Sequence, residues 1–207
     1  MWNCGIFVAL AAVTALCTLA GCIPAGGREP STGGHLLREW ARLHASTDPA
    51  STSHTNAADA IRQIGTNGIP FLTQWISEAH APTLRASSDE IDIRALAAAA
   101  AFSALQSDGA AAIPELTRIL NQGSDLASAY AAQALGRIGA PGLPVMIAAL
   151  GNPRPAVRKN AADFMIFMGQ TARPAIPALQ KMQNDPDPEV TKSVTFILGV
   201  LTNTPAK

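Results

Sequence analysis

The sequence predicts an all-α solenoid, a stack of about four to five helical hairpins, and three observations carry that prediction. One segment pattern recurs four times between residues 56 and 182. The chain is 48% hydrophobic but only 5% aromatic, so its core must be built from Ala and small aliphatic side chains, which suits helices whose backbones approach closely. Gly and Pro fall at matching places in each copy, where they end one helix and open the next. With 207 residues the chain can bury the core of one domain.

The first element is a leader over residues 1–21. Ile6 to Ala20 has no charged residue, as in an export signal, and the stretch ends in Leu19-Ala20-Gly21-Cys22. That ending resembles the lipobox of bacterial lipoproteins. The resemblance implies cleavage before Cys22, lipid on its sulfur, and an exported, membrane-anchored protein facing the periplasm or the cell surface. The other reading is an uncleaved anchor over Trp2 to Ile23, about the length of a membrane span. Cys4, Cys17 and Cys22 are the only cysteines, so the mature domain has neither a disulfide framework nor a thiolate zinc site.

Residues 22–55 are rich in Gly, Pro, Ser and Thr and are expected to form a flexible spacer with one short helix from about His35 to His44. Leu36, Leu37, Trp40 and Leu43 share a face of that helix, which should dock as a cap on the repeat domain of residues 56–203.

The four repeats span 56–76, 94–120, 129–150 and 157–182, and residues 188–201 begin a fifth that lacks its second helix. Gly65, Gly139 and Gly169 end the first helices in the left-handed conformation; Pro70, Pro114, Pro144 and Pro177 open the second helices. In the second repeat Gln106 stands where Gly is expected, so the turn should move to Asp108-Gly109. His80 to Ile91 reads as a polar insert, and the final half-unit as the other cap.

Val157-Arg158 with Ala161-Ala162, Ala134-Leu135 with Ile138-Gly139, and Ile176-Pro177-Ala178-Leu179 together resemble HEAT repeats, particularly the short variety found in phycobilin-attaching lyases. The resemblance covers roughly residues 56–203. It implies a right-handed superhelix whose second helices line the concave, partner-binding side. On that side Gln74, Glu78, Arg118, Gln180 and Lys181 are the expected contact residues for a protein or peptide. Trp75 continues the core pattern of Leu72 and Ile76.

The formal charge is zero, which gives no general attraction to nucleic acid. Its distribution is uneven: residues 48–125 hold nine acids and four bases, and residues 137–181 hold six bases and one acid. No GxSxG, HExxH, GxxxxGK or GxGxxG occurs in the mature region, so no cofactor, metal or small-molecule substrate is indicated. The four histidines, His35, His44, His54 and His80, avoid the repeat framework. His44, Asp48 and His54 read as polar linker groups, with weak metal binding as the alternative. The expectation is a non-enzymatic scaffold of the cell envelope. A structural spacer or a lyase-like accessory protein are the other readings.

Overall fold

The computed structural model describes residues 27–79 and 88–203; Cys22, the rest of the leader and His80 lie outside the described residues. Two short strands, β1 (Ser31–Thr32) and β2 (His35–Leu36), pair antiparallel around Gly33 and Gly34. Both glycines have positive φ, at 57° and 82°, the conformation that a two-residue hairpin loop demands. Ten helices follow. They are α1 (Leu37–Ser46), α2 (Thr52–Ile64), α3 (Ile69–Ser77), α4 (Ser88–Leu105) and α5 (Ile113–Gln122), then α6 (Asp125–Ile138), α7 (Leu143–Ala149), α8 (Pro155–Phe164), α9 (Ile176–Lys181) and α10 (Pro188–Asn203).

The described part of the spacer, residues 27–55, holds the hairpin, α1 and the start of α2, and packs onto the stack. His35 and Leu36 are taken up by the strand, so α1 starts at Leu37, where the Glu39 carboxylate accepts the Leu36 N–H at 2.8 Å. Its buried face is Leu37, Ala41 and His44, while Leu36, Trp40 and Leu43 are only half-buried. Trp40 is held by its indole N–H, which donates to the Thr32 carbonyl at 3.0 Å. The helix packs against both α2 and α4 rather than capping the first hairpin alone. Ser51 caps α2 by accepting the His54 N–H at 3.1 Å, so the first repeat helix begins at Thr52, before the expected residue 56.

Beyond it the chain is the predicted all-α solenoid. First helices α2, α4, α6, α8 and α10 pack on one another in order, and each second helix, α3, α5, α7 and α9, packs against the first helix that follows it. Ala97, Ala98, Ala99, Ala101, Ala131, Ala132, Ala161 and Ala162 line these contacts and are almost completely buried. The insert is shorter than expected because Asp89 and Glu90 already belong to the first turn of α4, where carboxylates favour the exposed N–H groups of a helix start. The final half-unit exposes Glu189, Lys192, Thr195, Thr202 and Asn203, a largely polar face interrupted by Phe196, which is 60% exposed.

The turns between repeats are tied by side chains that reach across. Ser124 Oγ donates to the Ala79 carbonyl at 2.9 Å, and Arg154 binds the Gly123 carbonyl at 3.0 Å and the Asp125 carboxylate at 2.6 Å. Arg158 donates to the Asn152 and Pro153 carbonyls and makes a two-pronged pair with Asp185 at 2.8 and 2.7 Å. That fork holds the nearly buried Asp185 carboxyl below the usual carboxylate range. In the last half-unit Thr191 stands in the corresponding place, and its hydroxyl donates to the Asp185 carbonyl at 3.2 Å.

Gly65, Gly139 and Gly169 end their helices with φ of 58°, 82° and 53°, as expected for the sign of φ, but with ψ of −141°, −136° and −132°. That pair of angles is open almost only to glycine and differs from the ordinary left-handed cap. A short 3₁₀ segment follows each one and delivers the chain to the next Pro-containing helix start. Gln106 adopts φ of 50° and is the only non-glycine with positive φ among the described residues, so the turn does not move to Asp108-Gly109. The segment Gln106–Ala112 must bring Ile113 into line with its neighbours in the stack, and that register outweighs the local preference of Gln.

Substituting these two positions should therefore have opposite effects. Gly139→Ala meets open space but the wrong φ, and is expected to cost about 1–3 kcal/mol. Gln106→Gly relieves the same strain and should add roughly 0.5–1 kcal/mol, less whatever the looser unfolded chain takes back. Urea unfolding midpoints measure both; two changes of the same sign would contradict this account of the turn.

Candidate functional site

The second helices expose a row of faces because each begins at an apolar-Pro pair and buries one stripe, chiefly toward the first helix that follows it. On α3, Leu72, Trp75 and Ile76 turn inward, leaving Gln74 exposed and Glu78, just beyond the helix, half-buried. Gln74 Nε2 donates to Glu78 Oε1 at 2.8 Å, and Glu78 pairs with Arg94 of α4 at 2.7 Å. Arg118 is exposed on α5 and forks onto Glu115 one turn earlier. Gln180 and Lys181 are exposed at the end of α9. Of the five expected contact residues, Gln74 and Glu78 are joined by a hydrogen bond and Gln180 and Lys181 are neighbours in the chain. These two pairs and Arg118 mark separate stations along the row.

Between α5 and α7 lies a groove of about 300 Å³ lined by Thr117, Asn121, Pro144, Val145, Ala148 and Ala149. The helix α7 reads LPVMIAA and carries no charge, so this groove has an apolar wall; Asn121 and Thr117 supply the polar edge. Asn121 Oδ1 accepts from Asn152 at 2.8 Å and its amide donates to the Thr117 carbonyl, which fixes the side chain.

A second concave region was not foreseen from the sequence. The seam between α1 and α4 holds a cleft of about 240 Å³, with Arg38, Arg42, Glu90 and Arg94 around Trp75, and an adjoining apolar groove of about 270 Å³ formed by Ala45, Ile93, Leu96 and Ala97. Trp75 is packed, as expected, with the Arg94 guanidinium 5.9 Å from the ring centroid. The seam exists only because α1 folds back, and nothing local in either segment announces that contact. All five exposed large apolar side chains among the described residues belong to first helices or the turn after one: Ile93, Leu96, Ile166, Phe167 and Phe196.

Two of the three spacer histidines, His44 and His54, are packed against each other, which corrects their reading as linker groups. His44 is 5% exposed and stacks on His54 with ring centroids 4.1 Å apart. Ser103 Oγ donates to the Ala100 carbonyl, so it accepts from His44 Nε2–H at 2.9 Å, and Nδ1 of His44 has no partner among the described residues. Asp48 does not join them; its carboxylate accepts the Ala50 N–H at 2.9 Å. Stacked rings do not converge on a shared ion, so this geometry does not fit the metal alternative. Among the described residues no group of three or more His, Cys, Asp or Glu is placed to hold a metal.

The family model for HEAT repeats matches residues 113–199. Among solved structures, the chain is similar to an engineered protein at 18% identity, covering 80% of this chain and 78% of that one, with a TM-score of 0.43. It is similar to a designed armadillo repeat protein at 22% identity, covering 80% and 82%, with a TM-score of 0.36. The complex of CpcE and CpcF of phycocyanin lyase from Nostoc sp. PCC7120 is 20% identical, covering 88% of this chain and 71% of that one, with a TM-score of 0.39. No curated protein matches the chain.

Burial, reinforced by the positive charge of His54, Arg137 and Arg62, lowers the His44 pKa to about 4. The unfolded chain takes up this proton near pH 6.5 and the folded chain does so only near 4, so stability should decline as pH falls through that window. The loss is on the order of 2–3 kcal/mol. Chemical unfolding at pH 7, 5.5 and 4 should show a smaller decline for His44→Leu than for the parent; parallel declines would exclude His44 as the source.

Proposed function

We propose that this HEAT-repeat chain is a non-enzymatic protein-binding scaffold of the bacterial cell envelope, holding a protein or peptide partner along the faces of its second helices. The observation that carries the reading is the groove between α5 and α7, where an uncharged helix wall meets the fixed amide of Asn121 in the middle of the row. Such a surface suits an extended or helical segment that buries apolar side chains and satisfies its polar groups at the edge. Gln74 and Glu78 on one side, and Gln180 and Lys181 on the other, extend the row beyond a single groove. Arg118 stands beside the groove on α5. The partner would therefore touch several repeats weakly rather than one repeat strongly.

The envelope assignment rests on Leu19-Ala20-Gly21-Cys22, a site suited to lipid attachment at Cys22. A tether there would hold the stack at a membrane surface while leaving its second-helix row open to a partner.

Two measurements test the halves separately. A photo-crosslinking side chain placed at Arg118 or Gln180 in the native host should capture the same protein, and one at Lys192 on α10 should not. Capture of unrelated proteins at the two positions would contradict a continuous binding row. Labelled fatty acid should enter the parent and not Cys22→Ala; equal labelling would rule out the lipid tether.

A further inference from the structure

We infer that the seam between α1 and α4 is a second binding surface, which takes a segment of a partner protein presenting a leucine-like side chain next to a carboxylate. This goes beyond the second-helix row and does not depend on it. The charged cleft and the apolar groove are one continuous feature, because Arg42 and Ala97 line both.

The charges around the seam are mostly answered. Arg38 pairs with Glu29 at 3.3 Å, Arg94 NH2 donates to Glu78 at 2.7 Å, and the Glu39 carboxylate accepts the Leu36 N–H. Glu90 also has a partner. One reachable donor group remains without an acceptor among the described residues, the exposed guanidinium of Arg42; the Arg94 Nε–H also lacks one but is buried beyond the reach of an incoming group. Arg42 lines the cleft where it meets the apolar groove, so the group that complements it is an anion able to accept from guanidinium N–H, as a carboxylate does.

The apolar half fixes the rest of the occupant. Ile93 is 51% exposed and Leu96 43%, one helical turn apart, and with Ala45 and Ala97 they make the groove mostly apolar, Arg42 and Ser46 being its polar members. From Arg38 to Ser46 the seam is about 12 Å long, the reach of roughly four extended residues. A short acidic and aliphatic segment therefore fits its length, charge and polarity together.

The test is an amide-resolved NMR titration of the mature chain with three capped tetrapeptides: Glu-Leu-Leu-Glu, Lys-Leu-Leu-Lys and Glu-Ser-Ser-Glu. The first should shift the amides of residues 42–46 and 93–97, and the other two should bind about five-fold or more weakly. Arg42→Glu should reverse the preference between the Glu and Lys peptides, and Leu96→Ser should weaken binding while the thermal melt stays that of the parent. Equal binding of the Glu and Lys peptides, or no binding at millimolar peptide, would overturn the inference. Shifts confined to α5 and α7 would overturn it too, while leaving the second-helix reading intact.

Discussion

The close approach of successive first helices is the constraint on which the rest of the molecule depends. At Gly136 on α6, a Cβ would lie 2.4 Å from the backbone carbonyl oxygen of Phe164 at the end of α8. No side chain larger than hydrogen fits there without moving one helix. The same demand explains why Ala99, Ala132 and Ala162 are fully buried at equivalent places in their helices, and why the chain carries so few aromatic residues. Once the first helices sit this close, the turns after them are committed to a narrow path. Three glycines and Gln106 then take positive φ at corresponding helix ends.

That hierarchy shows which features could be read locally. Gly65, Gly139 and Gly169 and the four helix-opening prolines each announce their role through their own backbone preferences, so the hairpins and their order follow from the residues themselves. Gln106 has no such preference; its conformation is imposed by the repeat register, which is a property of the whole stack. The same distinction explains α1. Its amphipathic character could be read from Leu36, Leu37, Trp40 and Leu43, but the buried face is Leu37, Ala41 and His44, because the surface it covers belongs in part to α4, about sixty residues away, as the His44–Ser103 hydrogen bond records. A histidine in a Ser/Thr-rich stretch looks solvated until that distant partner is known.

The surface follows the same logic. Gln74, Glu78, Arg118, Gln180 and Lys181 could be assigned to the second-helix faces because those faces follow from helix periodicity. Their grouping could not, since Glu78 turns toward Arg94 across a connection that periodicity does not describe. The seam between α1 and α4 was illegible for a stronger reason: it has no existence in either segment alone. Ile93 and Leu96 gave the one signal available, apolar side chains one turn apart near an acidic helix start, outside the Ala-rich stripe. The charge asymmetry is bridged where the two halves meet, by Arg154 of the basic region on Asp125 of the acidic one. It thus contributes a contact within the stack as well as an uneven outer field.

Replacing Gly136 by Ala tests the central claim most directly, because two physical effects predict opposite signs. Helix propensity alone would make Gly136→Ala stabilising by up to about 1 kcal/mol. Close approach to the Phe164 carbonyl predicts a loss of about 1–3 kcal/mol in urea unfolding. A destabilised chain would support stacking through helix backbones in near contact. An unchanged or stabilised one would contradict it.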